Sequence, residues 1–418
     1  MDKIRKVRAV GAAILTAGLA AAALAGCSSS GSGGSSTASH SSYTFWDPYP
    51  QYNNSSDWAK VIQKCGTESG VTIKRSAYDT SDLTNKALLA GQQHNSPNIL
   101  LVDNPVVSTL ASAGILTTTS DNGLSTSGIA SNILGAGVID GKTYGVPIGA
   151  NTLALYYNPK VLQAAGVDIS SVTDWDTLTA ALQKVVASGH KGITFAGIGT
   201  EEGSFQFLPW FWGAGANLKN LDSADAQSAL TLWTNWVKQG LAPNSVINDT
   251  QTTSWQEFQT GDFGFSENGT WQKASAAQAG YKVVPLPGKT AGSTAPAPTG
   301  GEFFTIPTQK DTSTYKTSAK IVSCLTSSKN ILNTVNTLNY IGATKTVQQE
   351  QLKADPSLKP WVTAVQSAKA RTGDNLGTNY PIISQQMWGA VQNALSGSQS
   401  PADALKAAQT AAASKVTK

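Results

Sequence analysis

Histidine, cysteine and charge are all scarce in this chain. Only 3 histidines occur among 418 residues. His40 lies in a serine- and glycine-rich stretch, and neither His94 nor His190 has partners at a metal-ligand or catalytic-triad spacing. The sequence therefore offers no histidine-based metal centre and no Ser-His-Asp hydrolase pattern. Charged residues make up 13%, and the net charge is +4. Lys3, Arg5, Lys6 and Arg8 against Asp2 carry +3 of it, which leaves +1 for everything else. With no basic stripe and no base-reading motif, no nucleic-acid partner is expected. There is no phosphate-cradling loop either, because Gly213-Ala214-Gly215 is too short to count. No cofactor and no metal are expected. No internal repeat occurs, and no apolar run after residue 27 is long enough to cross a membrane.

What is present is a 40% hydrophobic, aromatic-rich chain with 11 tryptophans. It is long enough for two domains, since one core seldom grows past about 250–300 residues. Residues 1–27 read as a targeting segment. A basic start precedes an apolar run from Ala9 to Leu24, and Leu24-Ala25-Gly26-Cys27 resembles a bacterial lipobox. That resemblance implies a lipidated Cys27 as the first mature residue, anchoring the protein on the outer face of the cell membrane. Residues 28–42 read as a Ser/Gly tether. Only Cys65 and Cys324 remain beyond Cys27. An exported pair is expected to form a disulfide, with two buried free thiols as the alternative.

The rest of the chain alternates strand and helix signals. Tyr43–Trp46, Val71–Lys74 and Ile99–Val102 read as strands, and Trp58, Val61, Ile62 and Cys65 fall on one face of a helix. A second unit begins at Thr152–Tyr157 and runs through Gly192–Ala196 and Phe263 onward. Thr173-x-x-Asp176 has the spacing of a capping box. This is a doubly wound α/β pattern. In such folds ligands bind at the carboxyl ends of strands.

Several of those ends carry aromatics, carboxylates and amides. They are Trp46-Asp47, Asp103-Asn104, Glu202 with Phe205, and Glu267-Asn268 with Trp271, while Asn151 sits just before the strand Thr152–Tyr157. Asn268-Gly269 reads as a turn, with Thr270 as a helix cap. Glu302, Trp388 and the loop holding Arg371, Asp374 and Asn375 complete the set. An indole face covers the C–H side of a sugar, and carboxylates and amides take its hydroxyls. Each residue has a plainer reading as core, turn or cap. Asp47, Glu202, Glu267, Glu302 and Asp374 also keep a surface-anchored glycosidase open, although no local pattern pairs them, and a receptor for a different small solute is the other alternative.

The stretches Thr44–Asp47, Asn98–Asp103, Gly145–Pro147 with Leu155–Asn158, Phe207–Trp210 and Gly261–Trp271 together resemble one family. It is the extracellular carbohydrate-binding lipoproteins of bacterial ABC importers, similar to maltose-binding protein. The resemblance implies an α/β, two-lobe periplasmic-binding-protein-like (type II) fold with a hinge of crossing segments and an interlobe cleft. It implies lobes of residues 43–149 with 301–355, and 150–300 with 356–418. It further implies a monomer that delivers a sugar or oligosaccharide to the transmembrane subunits of a permease. On the same ground Trp271 stacks on a sugar ring, and Asn151 stands where the family often has a carboxylate. Trp388 matches an aromatic position on a late helix.

Overall fold

In the computed structural model residues 42–416 are described. Cys27 and residues 28–41 of the expected tether lie outside them. Ser42, read as the end of the tether, instead opens the first strand, Ser42–Asp47. Among the described residues no helix is long and apolar enough to cross a membrane.

The first lobe is built on a five-stranded sheet. Its order is Thr72–Ala77, Ser42–Asp47, Ile99–Asp103, Glu302–Thr305, Val146–Pro147. The first three strands are parallel, and Glu302–Thr305 runs antiparallel beside Ile99–Asp103. The run Ile99–Val102 is apolar throughout because both faces of its strand are covered. Ile99 and Leu101 join the cluster under helices Asp57–Glu68 and Tyr315–Leu325. Leu100 and Val102 face the opposite way, toward helices Thr80–Gln92 and Asn104–Ser112. The helix Asp57–Glu68 starts where Ser56 accepts the Ala59 N–H, and it buries Trp58, Val61, Ile62 and Cys65. A disulfide joins Cys65 to Cys324 and so ties two helices on that face together.

The second lobe has a four-stranded sheet in the order Lys282–Val284, Leu153–Tyr157, Phe263–Gly269, Lys191–Thr194. One face packs helices Trp175–Ala187, Glu201–Gly213, Ala224–Lys238 and Asn379–Leu395. Tyr156 on the other face meets Trp255 and Trp361. The capping box of helix Trp175–Ala187 sits one residue later than its sequence spacing suggests. Asp174 is the cap, and its side chain accepts the Thr177 N–H at 2.8 Å.

Three stretches of chain pass between the sheets and bond to one another. Asn151 and Gly300 exchange backbone hydrogen bonds of 3.2 and 2.9 Å, and Ala150 and Ile341 exchange two of 2.8 Å. Pro298–Thr299 also pairs with Lys369–Ala370. Glycine at 300 lets the Asn151 side chain lie close against the backbone, since a Cβ there would stand 1.8 Å from Asn151 Oδ1 and force that side chain to move.

Candidate functional site

Two neighbouring strands of the first sheet set the floor of the site. Asp103 and Glu302 are register partners across the antiparallel pair. Side chains opposite one another in such a pair share a face about 5 Å apart. Glu302 is 8% exposed. Its Oε2 accepts the Tyr49 hydroxyl at 2.5 Å and the Tyr340 hydroxyl at 2.9 Å. Burial, and then the neighbouring Asp103 charge, push the Glu302 carboxyl up to about 7, against the two hydroxyls and Arg371, which favour ionisation. The Asn151 side chain faces the Tyr340 hydroxyl and works against the rise that burial causes in its pKa.

Arg371 spans the two lobes. It is 2% exposed. Nη2 donates to Asp103 Oδ1 and Asn104 Oδ1, both at 2.8 Å, and Nη1 donates to Glu201 Oε1 at 2.8 Å. The guanidinium lies 4.8 Å from the centre of the Phe205 ring. Burial works against its charge, but Asp103 and Glu201 outweigh that and hold it protonated. Glu201 stands in the first turn of helix Glu201–Gly213 and also accepts Tyr380 Oη at 2.6 Å and Ser384 Oγ at 2.5 Å.

The aromatic wall continues from Phe205 to Trp271, with ring centres 6.4 Å apart. Asn268-Gly269 does not form a turn. The strand runs through Gly269, whose φ is −103°, straight into the short turn Thr270–Gln272. Glycine is needed there for close approach, because a Cβ would meet the Trp271 ring at 2.1 Å. Thr270 makes no cap, and its hydroxyl is buried without a partner.

The structure thus brings together Asp103, Asn104, Asn151, Phe205, Trp271, Glu302 and Arg371. Other candidates are placed elsewhere or committed to the fold. Asp47 is fully buried, with both oxygens held by Arg75 at 2.5 and 2.8 Å and the Tyr49 N–H on Oδ1. Burial raises its pKa, which Arg75 only partly offsets. Glu202 accepts the Gln251 N–H at 2.9 Å, outside the Arg371 cluster. Asn268 is fully buried, with Nδ2 on the Gln251 carbonyl and Oδ1 on the Gly269 N–H. Asp374 and Asn375 are exposed turn residues with left-handed φ of 56° and 60°. Trp46 is half-buried and edge-on to Tyr78 at 5.5 Å. Trp388 is half-buried one helical turn beyond Ser384.

Glu267 points into the core. It is the register partner of Leu155, and Oε2 accepts Trp210 Nε1 at 2.7 Å. It is fully buried and Oε1 has no partner, so burial raises its pKa well above 4.5. The folded state holds this proton more tightly than the unfolded state does. The stabilisation is fully present below pH 4.5 and is lost as pH rises through the folded pKa. Glu267→Gln is therefore expected to be more stable than the parent at pH 8 by urea denaturation, with the difference vanishing near pH 4. A pH-independent difference would contradict the assignment.

The residues the sequence did not single out are Glu201, Tyr49, Tyr340, Tyr380 and Ser384. Helix Glu201–Gly213 is buried at every position from Gly203 to Trp212. With no polar face to phase it, nothing in the sequence says which of Glu201 and Glu202 turns toward the crossing. Among the described residues one grouping has metal-type donors, Cys65, Glu68 and Cys324, and the disulfide consumes both of its sulfurs.

A mixed α/β chain in two lobes, crossed by several segments with a polar and aromatic cluster at the crossing, defines a two-lobe binding protein. Residues 60–360 match the model of the bacterial extracellular solute-binding proteins, and the chain belongs to that family. It is 28% identical over 165 residues to a putative binding protein of Brucella abortus, covering 36% of this chain and 40% of that relative. The match therefore spans well under two thirds of the relative's length. Among solved structures it is similar to maltose-bound MalE3 of T. maritima, with a TM-score of 0.77 and 19% identity, covering 90% of this chain and 100% of that one. It is also similar to the GacH receptor of Streptomyces glaucescens, solved unliganded and with acarbose. There the TM-score is 0.75 and the identity 23%, over 88% of this chain and 97% of the other. These two share the fold. The family is one of solute-binding proteins and not of enzymes.

Proposed function

We propose that this protein is the substrate-binding component of an ABC-type carbohydrate importer and is not an enzyme. It captures a sugar or oligosaccharide between its lobes by hinge closure. One observation carries the reading: Asp103 and Glu302 from one lobe, Phe205, Trp271 and Arg371 from the other, and Asn151 from the first crossing segment form one contiguous patch. Aromatic faces beside oxygen-bearing groups suit a hydroxyl-covered ligand. The maltose and acarbose complexes of the two structural neighbours support the same ligand class.

A sugar touching both lobes stabilises the closed state by contacts the open state lacks. We divide the lobes at 149/150, 300/301 and 355/356. The protein is taken as a monomer, anchored to the outer face of the membrane through lipid on Cys27. It passes its cargo to the transmembrane subunits of a permease.

A thermal-shift screen against mono- and oligosaccharides tests this, since a ligand at 100 times its dissociation constant adds about 2.7 kcal/mol of stability. Trp271→Ala is expected to weaken sugar binding about tenfold or more, because an uncovered sugar face forfeits roughly 1.5 kcal/mol or more of apolar burial. The fold is expected to survive, as Trp271 is only half-buried. Unchanged affinity by calorimetry would remove Trp271 from the site.

A further inference from the structure

Two crossing segments meet at one carboxyl and the third flanks it. Glu302 comes from the second and Tyr340 from the third, Asn151 of the first faces the Tyr340 hydroxyl, and Tyr49 is added from the loop after the first strand. Tyr49 Oη and Tyr340 Oη stand 3.2 Å apart and both bond Glu302 Oε2. Among the described residues no hydrogen bond reaches Oε1, and it is not sealed as an unpartnered buried atom. The charged groups around Glu302 are Asp103 on the adjacent strand and Arg371 beyond the paired strand Lys369–Ala370. Their exposures differ. The side chain of Asp103 is 19% exposed and that of Glu201 is 34% exposed, whereas Arg371 is 2% exposed. The cation is enclosed and the acids lie nearer to solvent, so a ligand here meets carboxylate oxygen before guanidinium.

We propose that Glu302 sets the charge of the sugar this cleft admits: Oε1 accepts a donor from the bound sugar, so neutral and amine-bearing sugars enter while uronates and sugar phosphates are rejected. This rests on the reading of the cleft as a sugar site. An anionic group beside Asp103 and Glu302 meets like charge in a poorly solvated space, which lowers affinity about a hundredfold. An ammonium group meets the opposite field. Protonation puts a hydrogen on Oε1, the oxygen the two tyrosines leave free, so it no longer accepts; with the carboxyl titrating at about 7, neutral-sugar affinity falls by up to about tenfold from pH 8 to pH 6.

The test begins with thermal shifts for glucose, galactose, maltose, cellobiose, lactose and arabinobiose. The best binder is then compared by calorimetry with its 2-amino and uronate derivatives, on the parent protein and on Glu302→Gln, at pH 6 and pH 8. The parent is expected to bind the neutral and amino forms about a hundredfold more tightly than the uronate. Glu302→Gln is expected to narrow that gap about tenfold and to lose the pH dependence. If no neutral sugar binds, the proposed function fails and this inference with it. If a neutral sugar binds but the uronate binds as well, or Glu302→Gln keeps the parent's selectivity and pH profile, only the inference fails. Tyr340→Phe supplies a second readout should Glu302→Gln not fold. It removes one hydroxyl that favours ionised Glu302, so the pH midpoint of sugar binding should rise, and an unmoved midpoint overturns the inference.

Discussion

Arg371→Met is expected to destabilise the protein by about 3 kcal/mol. Removing one partner of a buried ionic network costs about 3–5 kcal/mol, because the partners left behind stay desolvated and unpaired. The lower figure applies here. Asp103 and Glu201 keep 19% and 34% of their side-chain surface and recover some water when the guanidinium goes. Asn104, at 1% exposure, recovers none. The urea midpoint at pH 7 measures the loss. A Glu201→Gln background is expected to reduce it, since one of the stranded charges is then absent. Arg371→Lys restores little, because a single ammonium cannot fork between Asp103 and Glu201 as the two Nη atoms do. A loss below about 1 kcal/mol would show that the network contributes no more than a surface ion pair.

The second large effect is that of the disulfide. Cys65 and Cys324 are 259 residues apart in sequence. Closing so long a loop removes chain entropy from the unfolded ensemble worth about 5 kcal/mol in the loop-closure account. The bond also ties the chain's first described helix to one that follows the return from the second lobe. Cys65→Ala/Cys324→Ala is therefore expected to lower the denaturant midpoint sharply, and reductant should shift the parent toward the same value. Intact mass with and without alkylation reports the bond directly. A parent whose midpoint ignores reductant, although both thiols then alkylate, would contradict the expectation.

Much of the fold could be read from periodicity. The run Ile99–Val102 marks a strand covered on both faces, and the stripe Trp58, Val61, Ile62, Cys65 marks a helix lying on that sheet. The strand-end rule also led to Asp103 and Asn104, which do sit where Arg371 joins the lobes. It failed for Glu267 because being near a strand's end does not fix the face. Pairing with Leu155 sends Glu267 into the core beneath Trp210. It failed for Asp47 because its partner, Arg75, lies on the adjacent strand, and strand neighbours are not visible in a sequence. Tyr49 and Tyr340 escaped notice for the same reason: 291 residues separate two hydroxyls that share one carboxyl.

The central claim is that one ligand touches both lobes where the crossing segments meet. The most direct test is a crystal structure with the sugar that gives the largest thermal shift. The account predicts density for that sugar with a ring against Trp271 and a hydroxyl or amine within hydrogen-bond distance of Glu302. A sugar bound on the outer face of either lobe, clear of both residues, would contradict it.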